Sequence, residues 1–279
     1  MQKDGEIMSK KVFIGVGHGG SDPGAVKYMK EADANLQMAL GMKAELERHG
    51  VKVGISRVKD ENDPLSEEIK EANAFAPDLA VECHNNAGGG DGFEVYRQTN
   101  GYAAQSLKLA QAIEKRVKES GQKSRGVKTK LNSAGTDYFG WCRQVKAPAV
   151  LCEGFFVDNQ ADSGDYNTAA KQQAFGKAYA WGVLDYLGIT IKPQAGAQPH
   201  KPTAGKNLPY SVQVGAYASA ANASAQKMKV SALGYFCFTA KSGNLNIVYV
   251  GKFATAAEAQ KTADSLKNKG ISGFVKKRQ

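Results

Sequence analysis

Residues 12–25 read VFIGVGHGGSDPGA, and this stretch decides the fold. Val12, Phe13, Ile14 and Val16 make a short apolar run without helical period, the mark of a buried strand in a parallel sheet. The run ends at Gly17 and passes into His18, two more glycines, Asp22, Pro23 and Gly24. Open α/β sheets keep their chemistry at the carboxyl ends of strands, in loops of this kind. Two later stretches repeat the arrangement. Leu79-Ala80-Val81 leads through Glu82 and Cys83 to His84, Asn85 and Asn86, and Ala149-Val150-Leu151 leads through Cys152 to Glu153 and Gly154.

Outward from these strands the patterns alternate. Residues 31–49 have apolar positions at 32, 36, 39, 40 and 46 and stop at Gly50, an amphipathic helix with a glycine exit. Residues 51–55 alternate as a strand. Asp63-Pro64 reads as an N-cap followed by proline in the first turn of a helix ending near Phe75. Phe93, Val95 and Tyr96 mark a strand, residues 103–117 a helix closed by Gly121, and residues 170–187 a last helix before Gly188. The expected fold class is α/β, a mainly parallel sheet with helices on both faces. This catalytic domain is expected to span residues 1–191. Residues 192–209, with four prolines, two glycines and no apolar period, read as a semi-extended linker.

Residues 210–279 are an internal repeat. VQVGAYASAANA at 212–223 aligns with VYVGKFATAAEA at 248–259, an offset of 36 that also sets Gly234 on Gly270 and Phe238 on Phe274. Each unit reads strand, Gly-aromatic turn, Ala-rich helix, glycine, strand, and Thr255 with Glu258 forms a capping box. Two such units predict a small α+β ferredoxin-like C-terminal domain with two helices on one face and the other face open.

Composition bounds the function. The 279 residues are 42% hydrophobic and 23% charged, ordinary values for a globular protein. No apolar run reaches about 18 residues, so neither a transmembrane helix nor a membrane anchor is expected. The polar start MQKDGEIMSKK does not read as a secretory signal, and Met8 is a candidate natural start behind an upstream extension. Four irregularly spaced cysteines, with no CxxC pair, read as reduced core thiols. The net charge of +10 is uneven: residues 192–279 hold 13 Lys and Arg against 2 Asp and Glu, the rest 24 against 25. A polyanionic partner for the back end follows from that balance.

Of four histidines, His49 sits at a helix end and His200 in the linker, both structural positions. His18 and His84 each follow a buried strand and open a polar loop, with carboxylates nearby. Two histidines and a carboxylate around an open position are what zinc catalysis needs. Spacing leaves Asp22, Glu31, Glu82 and Glu153 open as the third ligand. Cys83 as a nucleophile beside His84 is a poor reading, because adjacent strand residues face opposite ways.

GHGGSDPGA with Glu31, SR at 56–57, LAVECHNNA at 79–87 and PAVLCEGFFVDN at 148–159 together resemble the zinc-dependent N-acetylmuramoyl-L-alanine amidases. The resemblance implies His18, Glu31 and His84 as ligands of zinc (Zn2+), Glu153 as the catalytic carboxylate, and Asn85 at the substrate. It implies hydrolysis of the amide between the lactyl group of N-acetylmuramic acid and L-alanine of the peptidoglycan stem peptide. Glu82-Cys83 departs from the family, which more often has a small hydroxyl residue ahead of the histidine. Residues 210–279 are similar to SPOR domains that bind peptidoglycan, with Gln213, Tyr217, Tyr249 and Phe253 as candidates to stack on sugar rings, Tyr217 and Phe253 reading equally well as core residues that end each strand. The expected picture is synthesis in the cytoplasm and action at the bacterial wall after release, as for a phage endolysin or a sporulation-stage autolysin. The alternative reading is nucleic-acid binding, since a basic β-α-β pair with aromatics resembles an RNA-recognition fold. The aromatic RNP1 run is missing, GFVKK at 273–277 being only a fragment, so peptidoglycan and no nucleic acid is the expected partner.

Overall fold

In a computed structural model the described residues are 9–192, 208–231, 233 and 235–278. His200, most of the linker, Gly234 and the first eight residues lie outside them. The chain divides into two compact units.

The first unit runs β1 (Lys11–Val16), α1 (Glu31–Arg48), β2 (Lys52–Ile55), α2 (Leu65–Phe75), β3 (Leu79–Asn86), β4 (Phe93–Arg97), α3 (Ala103–Ser120), β5 (Ser124–Lys128), α4 (Gly140–Gln144), β6 (Ala149–Phe156), α5 (Gln160–Asp165) and α6 (Ala169–Leu187). Its six-stranded sheet has the order β2-β1-β3-β6-β4-β5. Neighbours pair in parallel except at the β6–β4 junction, which is antiparallel, so β2, β1, β3 and β6 run one way and β4 and β5, parallel to each other, run the other way in the expected mainly parallel sheet. A short turn through the Gly-rich residues 87–92 joins β3 to β4 without a crossover helix, and β4 therefore enters the sheet in the opposite direction.

Strand alternation sorts the side chains to two faces. Phe13, Ala80, Ala149 and Leu151 pack with Ile69, Ala72, Trp141 and Cys142 from α2 and α4. Each fully buried large side chain there contributes about 1.5–3 kcal/mol. The opposite face is covered by α1, from which Asn35 and Met38 reach the side chain of Asn85. Asp63 does not cap α2: the N-cap position falls on Pro64, with no side-chain hydrogen bond. Asp63 instead borders a cleft described below.

The second unit runs β7 (Tyr210–Tyr217), α7 (Ala220–Ser231), β8 (Cys237–Ser242), β9 (Leu245–Phe253), α8 (Ala256–Lys267) and β10 (Phe274–Lys277). Its antiparallel sheet has the order β10-β7-β9-β8, the ferredoxin-like arrangement expected from the repeat. The capping box forms as Thr255 and Glu258 predict. Val212, Val214, Val248 and Val250 bury one sheet face together with Ala223, Val230, Ala259 and Leu266 of the helices.

Two expectations for this unit are corrected. Phe253 is a core residue, 2% exposed, and Tyr217 packs against the same core. In each repeat the ring folds back over the glycine two residues before it: a Cβ on Gly215 would lie 2.3 Å from Tyr217, and one on Gly251 would lie 2.3 Å from Phe253. The Gly-x-aromatic pattern is thus a packing device rather than a pair of exposed rings.

Candidate metal centre and active site

The loop leaving β1 turns sharply. His18 takes a left-handed backbone, φ 63°, a strained conformation that costs about 1–3 kcal/mol and persists where surrounding structure enforces it. Arg57, fully buried after β2, does the enforcing. Its guanidinium donates to the carbonyls of Val16 and Gly17 at 3.2 Å and to that of Ala32 in the first turn of α1 at 2.8 Å. Asn35 adds a bond from Nδ2 to the Gly17 carbonyl at 2.9 Å. The β1 loop and the start of α1 are thereby held together, and His18 meets Glu31.

Among the described residues, His18, Glu31 and His84 form a group whose ligand atoms all lie within 4.8 Å of one another. Nε2 of His18 is 3.3 Å from Oε1 of Glu31, and Nδ1 of His84 donates to the same oxygen at 3.0 Å. The far nitrogens are also engaged. Nδ1–H of His18 donates to Asp22 at 2.8 Å and Nε2–H of His84 to Glu82 at 3.0 Å. Two of the carboxylates left open as third ligands therefore sit behind the histidines instead.

Register places the third carboxylate. His84 on β3 is paired with Glu153 on β6, and Glu153 with Glu94 on β4, so the three share one face in a row across adjacent strands. Glu153 Oε2 is buried without a hydrogen-bond partner. Burial pushes Glu153 up to about 7; His84 opposes this, and the charges of Glu31, Glu94 and Glu82 add to it. For Glu31 burial also opposes ionisation, but the bonds from His18 and His84 prevail and hold it well below the usual carboxylate range. Hydrogen bonding to Glu31 raises His18. Burial works against the charge on His84, yet Glu31 and Glu82 carry it well above the ordinary histidine value.

Gly17 makes the room. A Cβ there would fall 2.1 Å from Nε2 of His84, inside the ring's own space. His18 and His84 border a cleft of about 560 Å³ whose walls include Glu82, Glu68, Asp63 and Trp141.

Asn85 is not at the cleft. Its side chain is buried on the opposite face, donating to Asn35 Oδ1 at 2.8 Å and accepting from the Phe155 N–H at 3.2 Å. It braces β3 and β6 against α1, while its backbone N–H donates to Glu31 at 3.2 Å. Cys83 also points away from His84, fully buried, and burial pushes its thiol up, which disposes of a nucleophile there. Arg57 and Asn35 were not singled out from the sequence. The signals were present: an arginine directly after a strand in the quoted SR pair, and an asparagine four residues after Glu31, on the same helix face.

On the second unit's helix-free face, Phe274, Gln213, Tyr249 and Phe238 are successive register partners across all four strands. The Phe238 and Tyr249 rings stack at 5.5 Å, and Lys252 and Arg278 lie over Phe238 at 5.3 and 4.9 Å. Phe236 and Phe274 are exposed. Gln213 and Tyr249, candidates on or beside the sheet, fall in this row, Tyr249 only 9% exposed, and Phe238 and Phe274 complete it.

Comparison with known proteins agrees with both units. Residues 12–185 match the N-acetylmuramoyl-L-alanine amidase family and residues 207–277 the SPOR domain. The endolysin of Bacillus phage SPP1 is 34% identical over 71% of this chain and 74% of its own length. The sporulation-specific N-acetylmuramoyl-L-alanine amidase of Bacillus subtilis is 30% identical over 81% of this chain and 82% of its own. Among solved structures, Cwp6 from Clostridium difficile superposes with a TM-score of 0.62 at 33% identity, covering 64% of this chain and 29% of that one. The catalytic domain of CwlV from Bacillus (Paenibacillus) polymyxa var. colistinus gives 0.58 at 26% identity, over 65% and 99%. None of these similarities points to nucleic acid. The chain belongs to the N-acetylmuramoyl-L-alanine amidase family and is a peptidoglycan amidase with a SPOR domain.

Proposed function

We propose that His18, Glu31 and His84 hold a zinc ion and that Glu153 is the proton-transferring carboxylate for hydrolysis of the amide between N-acetylmuramic acid and L-alanine. The convergence of His18, Glu31 and His84, with Nε2 of His18 and Nδ1 of His84 both on Oε1 of Glu31, carries this reading. The donor set fits the ion. Bonds of ~2.0–2.1 Å to N and O ligands in a tetrahedron give ligand edges of about 3.3–3.4 Å, against the 3.0 and 3.3 Å separations here. Zinc bound there would polarise the scissile carbonyl and acidify a water.

The chain's own residues do the rest. Glu153 takes a proton from the attacking water and returns it to the leaving amine, for which a carboxyl near neutrality is suited. Glu31, ionised and anchored by the backbone N–H groups of Ala25 at 3.0 Å and Asn85 at 3.2 Å, keeps its position whichever proton moves. The strained His18 loop, clamped by Arg57, fixes the entry side of the cleft.

Residues 1–191 would form the catalytic domain and 210–279 the wall-binding domain. Phe274, Gln213, Tyr249 and Phe238 would lie along a glycan strand, the rings against sugar faces and Gln213 bonding hydroxyls or acetamido groups. The reading extends to where the enzyme works: at the bacterial wall, in the manner of the phage endolysin and the sporulation amidase it is similar to. No described helix is long and apolar enough to cross a membrane.

The test is muropeptide analysis of digested walls with parent chain, chelator-treated chain and Glu153→Gln. New amino termini on L-alanine are expected from the parent alone, with Glu153→Gln still taking up one zinc. Full turnover by that variant removes Glu153 from the mechanism, and full turnover of metal-stripped chain removes zinc.

A further inference from the structure

We propose that Glu82 is a positioning residue of the metal centre, holding the His84 imidazole with its proton on Nε2 so that Nδ1 faces the cation. The inference rests on the metal reading above and concerns a residue that departs from the small hydroxyl side chain expected at this place.

Three observations carry it. Glu82 and His84 are two apart on β3, so both side chains leave the same face of the strand, and Oε1 of Glu82 is 3.0 Å from Nε2 of His84. Glu82 is 2% exposed, so this bond is formed out of water, where a charged acceptor orients its donor most firmly. The other oxygen, Oε2, is buried and has no hydrogen-bond partner. Burying a carboxylate with half its capacity unused costs stability, and a serine or alanine would fill the position without that penalty. The acid thus stands there against its folding cost, and the side chain it bonds is that of His84.

The fold reserves space for the imidazole: a Cβ on Gly17 would lie 2.1 Å from Nε2 of His84, the nitrogen that faces Glu82. Gly15, the register partner of Glu82 on β1, instead leaves room for Glu68 and Trp141. Asp22 stands in the same relation to His18 but is largely exposed, so the geometry of its histidine depends more on the clamped loop. A ligating imidazole that gives its other N–H to a carboxylate is better oriented and more basic, and loss of such a partner typically weakens metal binding ~10–100-fold.

The experiment compares zinc affinity, by competition against a chromophoric chelator, for the parent, Glu82→Ala and Glu82→Gln in the full-length chain. Unfolding of each metal-free chain is followed alongside. Glutamine keeps an oxygen acceptor and serves as the conservative rescue. Glu82→Ala is expected to lose about 10- to 100-fold in zinc affinity, and Glu82→Gln to recover most of it. Long-range 1H–15N spectra of the metal-free chains supply a readout that altered packing alone would not move: a slowly exchanging His84 Nε2–H in the parent and in Glu82→Gln, lost in Glu82→Ala. Parent-like affinity in a folded Glu82→Ala overturns the positioning role while leaving the metal centre standing. A parent chain that takes up no zinc overturns both.

Discussion

Gly17→Ala is the sharpest test of how the metal centre is built, because the backbone of Gly17 is not in the left-handed region and accepts alanine without strain. Any effect must come from one methyl group. Its Cβ would lie 2.1, 2.2 and 2.6 Å from Nε2, Cε1 and Cδ2 of His84. Ordinary contact begins near 3.5 Å, so the ring must retreat by about 1.4 Å. It is held at both ends, by Glu31 on Nδ1 and Glu82 on Nε2, each at 3.0 Å. A shift of that size takes a 3.0 Å bond beyond hydrogen-bonding range, and metal ligation tolerates only ~0.2 Å. Overpacking of this kind costs roughly 1–3 kcal/mol of stability, at about 2–4 °C per kcal/mol in a unit of this size. Zinc affinity should fall by more than the ~100-fold that losing an outer partner can cause, since a ligand itself is displaced. The assay is chelator competition with thermal unfolding of the metal-free chain beside it. A folded Gly17→Ala chain that binds zinc within threefold of the parent would refute the packing argument, because the His84 ring would then have room the geometry denies it.

Two further outcomes follow from other parts of the molecule. Burial, with the charge of Glu82 beside it, pushes Glu68 up to about 8, so the folded chain keeps a proton that the unfolded chain releases above about 4.5. Stability from this group is therefore intact below pH 4.5 and declines as pH rises toward 8; Glu68→Gln should gain on the parent across that window, by at most ~1.4 kcal/mol per pH unit, in denaturant titrations at pH 5 and 8. A constant difference between the two pH values would count against it. In the second unit, Phe238→Ala should weaken binding to isolated glycan strands by about 1–3 kcal/mol, the worth of one stacked ring, whereas salt should weaken binding through Lys252 and Arg278 only modestly. Sedimentation with purified walls from 50 to 500 mM salt separates the two, and binding abolished by salt but indifferent to Phe238→Ala would favour charge attraction alone.

Strands were legible where their side chains were buried on both faces. VFIGV, LAV and AVL are continuous apolar runs because helices cover each side, and all three fall on central strands. β5, SRGVK, lies at the sheet edge and is polar along most of its length, so periodicity gave no sign of it. The direction of β4 was equally hidden, since FEVYR reads the same whichever way it runs. At the site, residue type and strand-end position pointed to His18, His84 and Glu153, but choosing Glu31 over Asp22 or Glu82 took a family resemblance. The reason is geometric: Asp22 and Glu82 do touch the histidines, and only the side of the ring they touch distinguishes an orienting partner from a ligand. Tyr217 and Phe253 stayed open between sugar contact and core because a ring folded back onto its own glycine has the same spacing as one projecting from a strand.

On the proposed reading, the electrostatics of the centre would tie metal uptake to the protonation of Glu153. Glu31, Glu82, Glu153 and Glu94 occupy one small region, and the imidazoles oppose the charge of the first three. Without a metal, protons do this work: His18 and His84 are raised, and Glu153 is pushed up to about 7 by burial, with the negative charges of Glu31, Glu94 and Glu82 adding to it. A divalent cation among the three ligands removes the need for those protons. Binding must then release them, so affinity for the metal rises with pH, and by the same linkage the ion lowers the cost of ionising Glu153. On the proposed reading, the carboxyl that would act as the base stays partly protonated near neutrality until the centre is complete, and the burial that raises it in the metal-free chain would make its ionisation responsive to the cation.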